Sequence, residues 1–201
     1  MIFKRCFDLV FATIALVVLA PVMLIVSLWI KADSRGPVFF RQQRVGLHGK
    51  LFAICKFRTM AADPAPAHQA RITVGADPRI TSAGALLRKY KLDELPQFIN
   101  VLRGEMSVVG PRPEVPHYVA MYPPATRERV LSVRPGITDL ASIEYRDESA
   151  LLASAGDPEA FYVQVVMPRK LDYCLRYVAE RSMGLDLTII WRTVVAILKR
   201  P

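Results

Sequence analysis

Cysteine and histidine are scarce in this chain, and neither is clustered. Cys6, Cys55 and Cys174 are isolated and odd in number, which excludes a disulfide framework and suits a reducing compartment. His48, His68 and His117 are equally scattered, so no spacing resembles a zinc site, and all six residues read as ordinary packing or surface. Internal repeats are absent, which excludes a solenoid or propeller. Acidic charge is thin in the first 60 residues: Asp8 and Asp33 face nine Lys and Arg, a net of +7 out of +9 for all 201 residues. Charge is missing altogether from Leu9 to Ile30, a run of 22 residues.

What is present is apolar and basic. Hydrophobic residues make up 52% and charged residues 22%, which rules out a disordered or collagen-like chain. The length fits one domain with an appendage and a core that needs no staples. The basic excess calls for an anionic partner: phosphate, nucleotide, nucleic acid or acidic lipid. Because the most basic portion is also the most apolar, a membrane surface with anionic headgroups is the better match.

Leu9–Ile30 is long enough, at roughly 33 Å as a straight helix, to cross a bilayer core of about 30 Å. A cleaved signal peptide is disfavoured, because Pro21 follows Leu19-Ala20 and the apolar run continues beyond it. Pro21 removes a backbone donor and clashes with the carbonyl of Val17, so a break at Ala20-Pro21 is expected. The arms on either side, about 18 and 14 Å, are each too short to span. Lys4 and Arg5 before the run and Lys31 and Arg35 after it favour holding both ends on one side. Two arrangements are open: a re-entrant helical hairpin and a kinked single span.

From Gly36 the pattern turns globular. Val38-Phe39-Phe40 and Leu51-Phe52-Ala53-Ile54 bracket Gly46 and Gly49, which predicts a hairpin or two short strands. Ala61–Ala70 reads as a Pro/Ala-rich loop and Asp77-Pro78 as a turn. Ala83–Leu92 has helical spacing, with Leu86, Leu87 and Tyr90 on one face. Pro96 opens a helix that runs to about Leu102 and stops at Gly104. Pro111, Pro113 and Pro116 enforce an extended passage, and Pro168 opens a helix with Leu171, Leu175 and Val178 on one face. In the last helix Leu187, Ile190, Trp191, Val194, Val195 and Leu198 form an apolar stripe, suited to a core or to a membrane interface. The class is α+β and mainly helical. Residues 1–35 form the membrane helix-break-helix, and residues 36–201 a small globular domain with short strands and interfacial amphipathic helices.

The chemistry concentrates at Leu92-Asp93-Glu94-Leu95-Pro96-Gln97. Two adjacent acids before a helix start are stabilised in ionised form by the helix end and by cations such as Arg88. They can serve as a cap, as a nucleophile, or as ligands for a hard cation such as Mg²⁺. Around them lie Lys56 and Arg58 in KFRTM, Arg112 between two prolines, and Arg134 beside Pro135-Gly136. Arginine on a stiffened backbone suits forked contacts with phosphate oxygens.

In order, the chain carries QQRVGLHGKLFAICKFRTM (42–60), DPRITSAGALLRKYKLDELPQFINVLRGEMSVVGPRP (77–113) and RPGIT (134–138), after an apolar segment with a central proline. Taken together these resemble the bacterial monotopic phosphoglycosyl transferases, the bacterial sugar transferase family, from about Phe3 to Thr138 and more loosely to the C-terminus. The length is similar to the minimal catalytic form. The resemblance implies transfer of sugar-1-phosphate from a UDP-sugar to undecaprenyl (polyprenyl) phosphate with release of UMP. It implies Asp93 as nucleophile, forming an acyl-phosphate sugar intermediate, with Mg²⁺ near Asp93 and Glu94 assisting. Lys56, Arg58, Arg88, Arg112 and Arg134 would surround the phosphates. It further implies a hairpin with both ends in the cytoplasm, at the cytoplasmic face of the bacterial inner membrane, with membrane lipids as partners and no nucleic acid. A homo-oligomeric pairing surface is compatible with the sequence but not legible in it.

Two positions depart from the family pattern. Ala20 stands where Ser usually precedes the central proline, which leaves the freed carbonyl without a hydroxyl partner. After RPGIT the polar stretch Asp139–Glu148 replaces the usual run and is a candidate for sugar selection. A competing reading is a membrane-tethered basic module that binds acidic lipid or nucleotide without chemistry; it leaves the acidic pair among the arginines unexplained.

Overall fold

The computed structural model describes residues 2–61, 74–75 and 77–199. The apolar N-terminal run forms one helix, α1 (Ile2–Asp33), about 48 Å long at the standard rise. Pro21 lies inside it and the helical backbone continues through Ala20-Pro21, where the sequence predicts a break between two arms. A proline weakens a helix by about 3 kcal/mol, which tertiary contacts at both ends of α1 can offset.

Those contacts are polar at the first end. Asp8, 2% exposed, accepts from Ser107 Oγ at 2.8 Å and from Val108 N at 3.0 Å. Lys4 Nζ sits 2.6 Å from Asp186, which also accepts from the Tyr177 hydroxyl at 2.8 Å. Arg5 donates to the carbonyls of Val101 and Leu102. At the far end Val26 and Ile30 are buried with Phe57 and Leu87. Between these anchors an outward face carries Ile14, Val17, Val18, Leu24, Ile25 and Leu28, each more than half exposed. That face has no partner within the described chain.

Strands β1 (Phe39–Val45) and β2 (Leu51–Phe57) pair antiparallel as the sequence predicts, with Phe39 opposite Phe57 and Val45 opposite Leu51. Helix α2 (Ser82–Lys89) begins with Thr81, whose side chain accepts from Gly84 N. Gly84 is required by close approach: a Cβ there would lie 2.0 Å from the carbonyl oxygen of Thr59. Helix α3 (Gln97–Leu102) follows Pro96 and ends before Gly104 at φ +82°. Asn100, fully buried, docks α3 on β2: its Oδ1 accepts from Cys55 N, and its Nδ2 donates to the Ala53 carbonyl and to Glu105.

Two short strands, β3 (Ser107–Val109) and β4 (Gly136–Thr138), pair in parallel and bring two sequence motifs together. A Cβ on Gly136 would sit 2.1 Å from Gly110 N, so only glycine lets the chains cross there. The remaining helices are α4 (Pro116–Ala120), α5 (Pro124–Val130), α6 (Leu140–Glu144), α7 (Glu148–Ala153), α8 (Pro158–Phe161), α9 (Met167–Glu180) and α10 (Met183–Leu198). A π-helical turn, Tyr162–Val166, links α8 to α9. Tyr118, Tyr162, Val166 and Leu171 anchor one core; Ala12, Val101, Val109 and Ile189 anchor a second that includes α1. Residues 62–70 of the expected Pro/Ala-rich loop lie outside the described residues.

The apolar stripe of α10 faces differently from a core helix. Ile189 and Asp186 are buried, whereas Leu187, Trp191, Val194 and Leu198 are exposed at 54, 68, 43 and 77%. Helices α1 and α10 thus both present apolar faces outward.

Arg58 has a structural task that its sequence context did not disclose. It is 6% exposed and caps the end of α1, donating to the carbonyls of Ile30, Ser34 (2.8 Å) and Arg35. Replacing it as Arg58→Met removes all three donors. We expect a loss of about 2 kcal/mol in denaturant unfolding in detergent, of which Arg58→Lys recovers less than half because the fork is gone.

Candidate active site

Asp93 and Glu94 occupy a tight 3₁₀ turn, Leu92–Glu94, between α2 and α3. Lys91 enters it in the left-handed region at φ 56°, a conformation costing about 1 kcal/mol for a residue with a Cβ. The turn folds both carboxylates inward, each residue being 8% exposed.

Their surroundings differ sharply. Glu94 Oε1 lies 2.8 Å from Lys56 Nζ and 2.6 Å from Arg112 Nη2, and its Oε2 lies 3.3 Å from Arg112 Nη1. The forked contact joins the PRP segment to the turn, and Lys56 joins β2 to both. Burial alone would raise the Glu94 carboxyl, but Arg112 and Lys56 overcome it and hold the group well below the ordinary range. Asp93 has no such clamp. Its Oδ1 is sealed from solvent and without a hydrogen-bond partner among the described residues. Burial pushes its carboxyl up, against the opposing pull of Lys56, Lys91 and Arg88. An acceptor left unmade costs about 1–3 kcal/mol, more for a charged one.

Three of the five cations singled out by sequence belong to this neighbourhood, and two serve elsewhere. Lys56 and Arg112 grip Glu94; Arg88, half-buried, acts on Asp93 while its Nε donates to Thr59 Oγ1 at 2.9 Å. Arg58 serves as the α1 cap described above. Arg134 donates through Nε to the Gly104 carbonyl at 2.8 Å, near Arg5. Neither Arg58 nor Arg134 is among the cations acting most strongly on the two carboxylates. An arginine's forked donors suit backbone carbonyls as well as phosphate oxygens, which is why sequence could not separate the two uses.

Three residues are not assigned to this site by sequence reasoning, Asp139 being read there only as part of the stretch considered for sugar selection. Lys91 is drawn into the site, where burial lowers its pKa and Glu94 opposes that. Asp139, 3% exposed, accepts from Arg112 N at 3.1 Å with Oδ2 and caps α6 through Ser142 N with Oδ1. It fixes the backbone from which Arg112 reaches Glu94. Glu114, two residues after Arg112, is held by Arg44, Lys170 and the Tyr162 hydroxyl at 2.7 Å.

A cleft of about 710 Å³ lies elsewhere, between α6, α7 and α9. It includes Glu144, Tyr145, Asp147 and Glu148 of the stretch considered for sugar selection, together with Asp172, Arg169 and Arg176. Four carboxylates against two arginines give it the wrong sign for a diphosphate, and it contains neither member of the acidic pair.

For a metal ion, the described residues offer no group of three His, Cys, Asp or Glu. Mg²⁺ commonly takes only one or two carboxylates and completes its shell with substrate phosphates and water. The unpaired Asp93 Oδ1 fits that donor set. Glu94, expected from sequence as a second ligand, has both oxygens engaged by cations.

The two carboxylates affect stability with opposite sign. Asp93, easier to protonate folded than unfolded, lowers stability as pH rises from the unfolded range near 3.9 through its raised value. Glu94, harder to protonate folded, adds stability above about 4.3 that is lost as pH falls through its depressed value. At pH 7 we therefore expect Asp93→Asn to raise the thermal midpoint and Glu94→Gln to lower stability by about 2–3 kcal/mol, stranding Lys56 and Arg112. Differential scanning fluorimetry of both variants at pH 7 checks the pair of signs; a fall for Asp93→Asn contradicts the assignment.

Comparison with known proteins matches this arrangement to a family. The chain is 39% identical over 202 residues to an undecaprenyl-phosphate glucose phosphotransferase of Komagataeibacter xylinus, covering 96% of this chain and 35% of that protein. It is 36% identical over 198 residues to a UDP-N-acetylgalactosamine-undecaprenyl-phosphate N-acetylgalactosaminephosphotransferase of Aeromonas hydrophila, covering 97% and 43%. It is 39% identical over 209 residues to the exopolysaccharide production protein PSS of Rhizobium leguminosarum bv. phaseoli, covering 100% and 97%. The chain thus spans well under half the length of the first two relatives and nearly all of the third. A family model described as bacterial sugar transferase matches residues 1–200, and with these relatives it shows that the chain belongs to the bacterial sugar transferase family.

Proposed function

We propose that this chain transfers sugar-1-phosphate from a UDP-sugar to undecaprenyl phosphate, releasing UMP, in two steps through Asp93. The observation carrying the reading is the contrast between adjacent carboxylates: Glu94 is fully paired and Asp93 Oδ1 is buried and free of partners. A desolvated oxygen without hydrogen bonds is a stronger nucleophile than a solvated one, and nearby cations keep its ionised form accessible. The names of the relatives, which are sugar-phosphate transferases acting on undecaprenyl phosphate, support the same substrates.

In the first step an Asp93 oxygen attacks the sugar-proximal phosphorus. A phosphorus–oxygen bond to that oxygen forms, the bond to the bridging oxygen breaks, and UMP leaves with the electron pair. In the second, an oxygen of undecaprenyl phosphate attacks the same phosphorus and the Asp93 carboxylate is released. Mg²⁺, when bound at Asp93 and the diphosphate, would neutralise charge on the phosphate oxygens. Arg88 and Lys91 act on Asp93 from the protein side. Glu94 keeps Lys56 and Arg112 at fixed positions, so that two cations face the incoming diphosphate without reorganising.

The anchoring of α1 supports a monotopic placement. Lys4, Arg5 and Asp8 at one end and Ile30 at the other contact the same globular domain. Two helix ends held by one domain favour placing both on the same side of a membrane. The exposed apolar faces of α1 and α10 would meet the lipid and bring the active site to an acceptor that cannot leave it. The basic binding module is disfavoured, because binding alone gives no reason to bury an unpaired carboxylate among cations.

Radiolabelled UMP should exchange into the UDP-sugar with the wild-type chain and Mg²⁺ alone, across a screen of UDP-hexoses and their N-acetylated relatives. Asp93→Asn should reduce that exchange below about 10⁻³ of wild type, and mass spectrometry of wild type quenched in turnover should find the phosphosugar on Asp93. Turnover without adduct or exchange points to a direct ternary mechanism. For topology, a cysteine at position 2 in a chain without its native cysteines should resist an impermeant thiol reagent applied to intact cells; labelling from outside contradicts the monotopic arrangement.

A further inference from the structure

Gln97 begins α3, one helical turn after Asp93, and is 1% exposed. Its Nε2 is sealed from solvent and has no hydrogen-bond partner among the described residues. A buried carboxamide in this position is not left unsatisfied for want of local means. Three residues on, Asn100 uses its oxygen and both hydrogens of its amide, on Cys55 N, the Ala53 carbonyl and Glu105. Orphaned buried polar groups are rare in folded proteins and call for an explanation.

The second orphan lies one turn away. Asp93 Oδ1 is an acceptor without a donor, and Gln97 Nε2 is a donor without an acceptor. Bonded to each other, both would be satisfied, and no such bond is made: the two residues stand four apart across the turn into α3. A single external group must then offer an oxygen to Nε2 and an electron-poor centre to Oδ1. A phosphoryl group does both, through its non-bridging oxygens and its phosphorus. A neutral amide also suits the place. A cation there would tie Asp93 into an ion pair like that of Glu94, and another acid would repel the diphosphate.

Resting on the reading given under Proposed function, we propose that Gln97 Nε2 donates a hydrogen bond to a non-bridging oxygen of the phosphoryl group attacked by Asp93, and so is a further catalytic residue of this site. As the oxygen gains charge in the transition state, the bond strengthens, and a fixed donor of this kind accelerates the step by 10²-fold or more, in order of magnitude. The contact concerns the sugar-proximal phosphoryl, so UMP, which lacks it, binds without using Gln97.

The test compares the full-length wild type with Gln97→Met and Gln97→Glu in detergent–lipid micelles, using UDP-glucose and the UDP-sugars of the screen. Gln97→Met keeps the length and removes the donor. Its expected signature is a kcat lowered about 100-fold, an unchanged KM for undecaprenyl phosphate, UMP affinity within twofold of wild type, and a thermal midpoint equal or higher. A higher midpoint follows because an unsatisfied buried amide is replaced by an apolar group. Gln97→Glu, which places a second charge beside Asp93, is expected to lose more activity than Gln97→Met. Gln97→Met with kcat within threefold of wild type overturns the assignment. So does a lowered midpoint with activity falling only in step with folded protein, the mark of a packing role. Wild type that releases no UMP with any UDP-sugar sinks the parent reading and this assignment together, whereas active wild type with unimpaired Gln97→Met sinks this assignment alone.

Discussion

The site depends on a single ionic junction. Glu94 receives Arg112 through a fork and Lys56 through its ammonium, and those three side chains come from a tight turn, a proline-braced segment and a β-strand. No covalent link or shared sheet connects these elements at that point. Burial makes the junction stiff, since any partner withdrawn would leave a charge without solvent. Further groups hold its members from behind. Asp139 fixes the backbone of Arg112, Asn100 fixes α3 against β2, and Glu114 ties the residue after Pro113 to Arg44, Lys170 and Tyr162. The site is rigid because its charges are paired outward from Glu94, and Asp93 is the carboxylate left out of that pairing.

The same logic reaches α1, the helix with the exposed apolar face. β3 carries the chain towards Gly110 and Arg112, and its residues Ser107 and Val108 are bonded to Asp8 of α1. The other end of α1 is capped by Arg58, two residues after Lys56. The helix with the largest apolar outward face is therefore braced against both segments that supply cations to Glu94. A shift of α1 relative to the domain would be felt at Lys56 and Arg112 through one short stretch of backbone each. This coupling gives a physical reason for a buried aspartate in an otherwise apolar helix: Asp8 desolvated and fully bonded is an alignment device rather than a burden.

Much of this was legible in the residues. Pro96 and Gly104 bound α3 through what they do to backbone angles, and the two apolar runs around Gly46 and Gly49 form the β1–β2 hairpin. The acidic pair and three of its cations, Lys56, Arg88 and Arg112, stood out by charge and spacing. What stayed hidden depends on distance in space. Asp139 looks like a loop acid until Arg112 N is beside it; Arg58 looks like a phosphate ligand until the end of α1 arrives. The stripe on α10 was visible as a stripe, but which part of it faces the protein is decided by Asp186 binding Lys4 and Tyr177 and by Thr193 meeting Thr138. Pro21 illustrates the limit from the other side. Its local cost is real, and the helix runs on because the cost is smaller than what two anchored ends supply.

Nothing in the dipeptide Asp93-Glu94 says which acid is spent on structure and which is held in reserve. Both have the same charge, sit within one turn and are followed or preceded by leucine. The difference arises from geometry: the turn entered through left-handed Lys91 carries Glu94 onto Lys56 and Arg112, while Asp93 Oδ1 is left without a hydrogen-bond partner among the described residues. Pairing pulls one proton affinity down and burial pushes the other up, so adjacent groups of the same kind are driven apart. A buried carboxylate oxygen without a partner is a persistent cost to the fold, and evenly sharing the cations would remove it. The difference between Asp93 and Glu94 is thus one of pairing: Glu94 is bound by two cations through both oxygens, and Asp93 Oδ1 is held buried without a partner.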